Sequence, residues 1–158
     1  MIIIADASPL VALAICDCLD VLEQLFDEVQ VSQAVFEEVT INNKPGAEQL
    51  GAYLKGKVSE LDLDGYVIGG GSALDRGELT SIALYKHLHA DYLLIDEKAG
   101  RKVAKLNEVT IIGSLGVLIE AKHKGLIPLL RPYVEILRQS QAHFSDSLLD
   151  YALTAVGE

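Results

Sequence analysis

Two carboxylates stand where short apolar runs stop, and any chemistry in this chain would begin there. Ile2-Ile3-Ile4-Ala5 ends on Asp6, and Tyr92-Leu93-Leu94-Ile95 ends on Asp96. Apolar runs of this length, bounded by polar residues, read as buried strands of an α/β sheet, and such sheets place ligand-handling residues just beyond the carboxyl ends of their strands. If the two strands are parallel neighbours, Asp6 and Asp96 share one crevice. Glu38, near the end of a helix, and Glu78, in the first turn of another, are two further acids at element ends. Four carboxylates at one sheet edge repel each other and raise one another's pKa unless cations are present. The cluster therefore implies a metal. No His or Cys lies at ligand spacing, so the ligands are all oxygens, which suits Mg²⁺ or Mn²⁺ and disfavours Zn²⁺. A hard cation held this way leaves positions for water and phosphate oxygens and suits phosphoryl chemistry.

Each acid also has a plainer reading. Asp96 would cap the helix that follows it, Glu78 would pair with Asp75 in a capping box, Glu38 would belong to a solvated acidic face, and Asp6 would be a turn residue at a strand end. Only their joint placement argues for a site.

The elements that must position them follow from periodicity and punctuation. Ser8-Pro9 predicts a helix start directly after Asp6, with Ser8 as N-cap and Pro9 at the first helical position. A short helix follows over Cys18 to Phe26, then a strand over Glu28 to Val31 and a helix capped by Ser32 that carries Glu37 and Glu38. Which of the two glutamates faces inward depends on helix phase, about 100° per residue. Pro45 predicts another helix start, and Val58 to Leu63 an edge strand or extended link. Asp64 to Gly77 reads as a loop; its Gly69-Gly70-Gly71-Ser72 lacks the following GK[ST] of a phosphate cradle. Beyond it the pattern gives a helix from Glu78, the Tyr92 strand, a helix over Ala99 to Leu106, a strand over Val109 to Ile112 and a helix over Leu115 to Lys124. Two C-terminal helices, Pro128 to Arg138 and Ser145 to Val156, complete the chain. This alternation predicts βαβ units: a three-layer α/β/α fold with a mainly parallel central sheet, in one domain over residues 1–158.

Bulk properties agree. The 158 residues are half apolar, enough for a sizeable core. No apolar run approaches the roughly 18 residues that span a membrane, and residues 1–6 lack a secretory lead, so the expected location is cytoplasmic. Cys16 and Cys18 lack partners for a zinc site and read as core residues, and the four histidines as surface residues. The net charge of −10 is uneven: residues 1–75 hold 13 acids and 3 bases, whereas residues 76–158 hold 10 of each. Lys98, Arg101, Lys102 and Lys105 form a basic run, so a phosphate-bearing ligand should lie along that side.

Asp6-Ala7-Ser8-Pro9-Leu10, the Glu38 helix, Gly77-Glu78-Leu79-Thr80-Ser81-Ile82-Ala83-Leu84 and Leu94-Ile95-Asp96-Glu97-Lys98-Ala99-Gly100-Arg101 together resemble a PIN domain. More narrowly they resemble the prokaryotic branch related to the VapC toxins of toxin-antitoxin pairs. The similarity extends over Ile112-Gly113-Ser114-Leu115-Gly116-Val117-Leu118 and Lys124-Gly125-Leu126-Ile127-Pro128, and so covers essentially the whole chain. It implies an Mg²⁺- or Mn²⁺-dependent endoribonuclease for single-stranded RNA, with Asp6, Glu38, Glu78 and Asp96 as the acidic site. Asp6, Glu78 and Asp96 would be the metal ligands, Ser8 and Ser114 would orient the carboxylates, and Lys98, Arg101 and Lys102 would meet phosphates. It further implies a homodimer and, for a toxin, a small antitoxin partner. Glu78 departs from the many toxin members that carry Asp at the third acidic position. Two other expectations stand beside this one: a PIN-like binding module without catalysis, and a receiver-like phosphoacceptor. The latter wants a Lys where this chain has Gly113-Ser114.

Overall fold

The structure, a computed structural model, describes residues 1–158. Ile2–Ala5 (β1) is the middle strand of five, flanked by Glu28–Ser32 (β2) and Tyr92–Leu94 (β4), with Val58–Ser59 (β3) and Ile111–Ile112 (β5) at the edges. The order is β3-β2-β1-β4-β5 and every neighbouring pair is parallel. The helices are Ala7–Ile15 (α1), Asp20–Leu25 (α2), Gln33–Val39 (α3), Ala47–Tyr53 (α4), Arg76–Leu88 (α5), Lys98–Leu106 (α6), Ser114–His123 (α7), Arg131–Gln139 (α8) and Asp146–Ala155 (α9).

Alternation along the two central strands builds the layers. Ile3, Ala5 and Leu94 enter a core of 31 buried residues that includes side chains of α1, α7, α8 and α9. Ile4, Leu93 and Ile95 point the other way, into a core of 9 buried residues shared with α5 and α6. The result is an α/β/α fold. Each of these Ile and Leu side chains is fully excluded from solvent, and such burial contributes about 1.5–3 kcal/mol apiece. No helix is long and apolar enough to cross a membrane. Cys16 and Cys18 are buried and unpaired.

Several boundaries differ from the sequence expectation, each for a local reason. Helix α1 starts at Ala7, not after Ser8, because the Asp6 amide still donates to the Leu94 carbonyl (2.9 Å) and the chain turns at Asp6 itself. Pro9 remains within the first turn, where its missing N–H costs nothing. Pro45 precedes α4 by two residues, Gly46 taking the left-handed turn (φ 74°). Helix α8 begins at Arg131, with Pro132 in its first turn, and Pro128 lies in the turn before it. Strand β5 loses Val109, whose amide closes the end of α6 on the Ala104 carbonyl (3.0 Å). The Asp64 to Gly77 segment holds short 3₁₀ turns, Leu63–Gly65 and Gly71–Ala73, and Asn107 pins it by accepting from the Gly69 amide (3.1 Å) and donating to its carbonyl (2.9 Å). Ser32 and Ser145 cap α3 and α9 as expected, each accepting from a backbone amide at 3.2 Å.

Candidate metal centre

All four predicted acids lie at the carboxyl edge of the sheet or on helices that border it. Asp6 leaves β1, and Asp96 lies two residues beyond the end of the neighbouring β4, where Ala5 is in register with Leu94. Glu38 comes from the last turn of α3 and Glu78 from the first turn of α5. Helix α5 is drawn in at its start: the Thr80 hydroxyl donates to Ser32 Oγ (2.8 Å), and a Cβ at Gly77 would stand 3.7 Å from Asp6 Oδ1 and 3.4 Å from Asp75 Oδ1. Asp75 caps the helix by accepting from the Glu78 amide (2.8 Å). The return bond of a capping box is not made, so the Glu78 carboxylate is left for the site.

The electrostatics follow from this crowding. None of the four acids takes part in a salt bridge. Asp6 is 3 % exposed, and burial, only partly offset by the Ala7 amide, pushes its carboxyl up to about 7, with Glu78, Asp75 and Glu38 adding repulsion. Glu78 is raised by partial burial, then by Asp75, Glu97 and Glu38. Glu38 is raised by partial burial and by Asp75, with Lys44 opposing. The phase of α3 selects Glu38: it is half-buried at the groove, whereas Glu37 is exposed and accepts from Gln33 Nε2 one turn back (3.1 Å).

Asp96 lives in a different setting. Burial raises its carboxyl, but the Ser114 amide (2.8 Å to Oδ1) and hydroxyl (2.7 Å to Oδ2) hold it, and Arg101 offsets its charge. Arg101 is folded back, its Nη1 donating to the Ile95 carbonyl (2.9 Å). Gly113 makes room for this: a Cβ there would meet Arg101 Nη1 and Asp96 Oδ1, both at 2.9 Å. Ser8 donates to Glu97 (3.3 Å) and to none of the four predicted acids. Lys98 and Lys102 are exposed on α6.

A groove of about 1210 Å³ runs past the cluster, with Glu38 and Asp96 among its lining residues. Lys98, Lys102 and Lys105 line it from α6, and Ile119, Leu148 and Tyr151 from α7 and α9.

A comparison with known protein families finds a match over nearly the whole chain. The family model described as a PIN domain (DUF3368) matches residues 2–158. The chain belongs to the PIN domain family. No curated protein matches the chain. PIN domains have a nuclease-type fold and are usually metal-dependent nucleases.

The site of this PIN domain fits a hard divalent cation by its donor set: every candidate ligand is a carboxylate oxygen, Asp6 has no cation beside it, and the shared repulsion is what a cation relieves. The side chains as they stand do not yet bring three of these groups to a common ligating position. Two members of the cluster were not singled out by sequence as part of it. Asp75 bears on Asp6, Glu38 and Glu78, and Glu97 bears on Glu78 and Asp96. Their signal was adjacency: Asp75 reads as a helix cap and Glu97 as the neighbour of a better-placed acid, and neither reading shows that the fold turns them toward the others.

Proposed function

We propose that this PIN domain, a single domain over residues 1–158, is an endoribonuclease that hydrolyses phosphodiester bonds in single-stranded RNA with Mg²⁺ or Mn²⁺, in the branch related to VapC toxins. The observation that carries the reading is Asp6: a carboxylate almost fully buried, unpaired by any cation and pressed upon by three other acids, at the same sheet edge as Asp96. Such a group is costly to keep unless something positive occupies the space in front of it.

Asp6, Glu78 and Asp96 would hold the cation, with Glu38 completing the acidic site. When bound, the cation neutralises charge that develops on the scissile phosphate and favours attack by water. The protein's own groups prepare that step. Ser114 fixes both oxygens of Asp96, so the carboxylate is aimed before any ligand arrives. Arg101, locked onto the end of β4, holds positive charge beside Asp96, while the exposed Lys98 and Lys102 offer charges to the phosphates along the groove. Partners that belong to this reading are single-stranded RNA, a second copy of the chain and a small antitoxin protein, all in the cytoplasm.

A second reading, a PIN domain that binds without cleaving, is favoured by the spread of the carboxylates. Incubating a mixed single-stranded RNA pool with the protein in Mg²⁺, Mn²⁺ or chelator, beside Asp96→Asn, separates the two. Metal-dependent cleavage absent from the variant supports the nuclease. Metal binding without cleavage of any RNA supports the binding module.

A further inference from the structure

The groove beside the acids is amphipathic by element, and that division points to how a strand would lie in it. Most of its cations come from α6, as the exposed Lys98, Lys102 and Lys105, with Lys44 added from the loop before α4 and no lysine or arginine from α7 or α9. Its apolar surface comes from elsewhere, with Ile119 on α7 and the exposed Leu148 (47 %) and Tyr151 (67 %) on α9. A volume of about 1210 Å³ exceeds the roughly 300–1,000 Å³ of small-molecule sites. Helix α9 is a firm platform, because Arg138 of α8 donates to Asp146 (2.6 Å) and Asp150 (3.0 Å) while Leu149, Ala152 and Leu153 are buried beneath.

Resting on the nuclease reading above, we propose that the α7–α9 side is a base-binding subsite, with Tyr151 as its stacking platform, and that it makes the groove selective for single strands. A single strand has the matching chemistry: an anionic backbone along one edge and apolar base faces along the other. Phosphates run along α6 and bases turn toward α9, which carries the backbone to Asp96 at the groove's acidic part. A duplex hides its base faces in the stack and offers only phosphates to α6. Charge complementarity selects this occupant over an uncharged apolar segment, for which the α6 lysines would have no counterpart.

The test is fluorescence anisotropy of a labelled oligoadenylate in chelator, as a single strand and annealed to oligouridylate, across a salt series. Tyr151→Ala should weaken single-strand binding about ten-fold, on the scale of one lost base stack, with duplex affinity and salt slope unchanged. Tyr151→Phe should bind like wild type, because the ring and not the hydroxyl carries the contact. Lys102→Ala should weaken both forms and lower the salt slope by about one. If wild type binds and Tyr151→Ala leaves single-strand affinity intact, or lowers both forms equally, the stacking subsite is overturned, the apolar side is left to a protein partner and the nuclease reading survives. If wild type binds no RNA, with Mg²⁺ or without, both fall.

Discussion

Asp6 and Asp96 leave adjacent parallel strands of one sheet, yet the protein treats them differently. Asp6 is sealed in, receives help from one backbone amide and faces Glu78, Asp75 and Glu38. Asp96 is held by two bonds from Ser114 and has Arg101 beside it. The difference teaches that the site has a finished half and a waiting half. The Asp96 half is organised by protein donors alone, whereas the Asp6 half has only the Ala7 amide to offset its crowding, which on the proposed reading a cation would relieve.

The largest expected effects come from removing either charge. On the proposed reading, Asp6→Asn and Asp96→Asn should each lower metal-dependent RNA cleavage by at least about 100-fold, since each would remove an anionic metal ligand. Their stabilities should separate them. At pH 8, Asp6→Asn should raise the unfolding free energy by up to about 4 kcal/mol, from about 1.36 kcal/mol per pKa unit. Asp96→Asn should change it far less, because Asn cannot accept from Ser114 at both positions as the carboxylate does. Urea denaturation checks this.

The pH dependence sharpens the same contrast. The Asp6 carboxyl ionises near 3.8 unfolded and at about 7 folded, so the folded state binds the extra proton between those values. Its penalty is absent below 3.8, grows as pH rises through that window and is complete above 7. Metal-free wild type should therefore lose stability from pH 4 to 8, and Asp6→Asn should flatten that slope. Saturating Mn²⁺ should flatten it too, by binding the ionised form.

Smaller changes probe the finished half. Gly113→Ala should cost about ten-fold or more in cleavage, because its Cβ would collide with Arg101 and Asp96, while φ of −96° leaves the backbone unstrained. Ser114→Ala removes one of the two bonds to Asp96 and leaves the other, so a loss of about 1 kcal/mol in stability and a few-fold in rate is expected. Glu37→Gln should be silent where Glu38→Gln is not.

The sequence exposed this architecture because the runs ending at Asp6 and Asp96 are short, apolar and punctuated, and their parallel pairing follows from the helices between them. It did not show where the turns fall. Ser8 resembled a cap, but the Asp6 amide stays paired with β4 and moves the helix start to Ala7. Nor did it show the two characters of the acids. The resemblance marks Ser114 as an orienting residue, and Ser114 does bond to Asp96, but the resemblance does not say which carboxylate is held; the crowding of Asp6 comes from α3 and α5, contacts that only the packed sheet creates. Tyr151 was invisible for the same reason, since nothing in α9 alone says which groove it borders.

The most direct check on the waiting half is calorimetric titration of Mn²⁺ into metal-free protein at pH 7, in two buffers of different ionisation enthalpy. With its carboxyl at about 7, Asp6 should release about half a proton as the cation binds, and Asp6→Asn should release correspondingly less than wild type and bind more weakly. Mn²⁺ binding of equal strength in both proteins with no proton release, or no binding to wild type, would contradict the assignment of this carboxylate cluster as the metal centre.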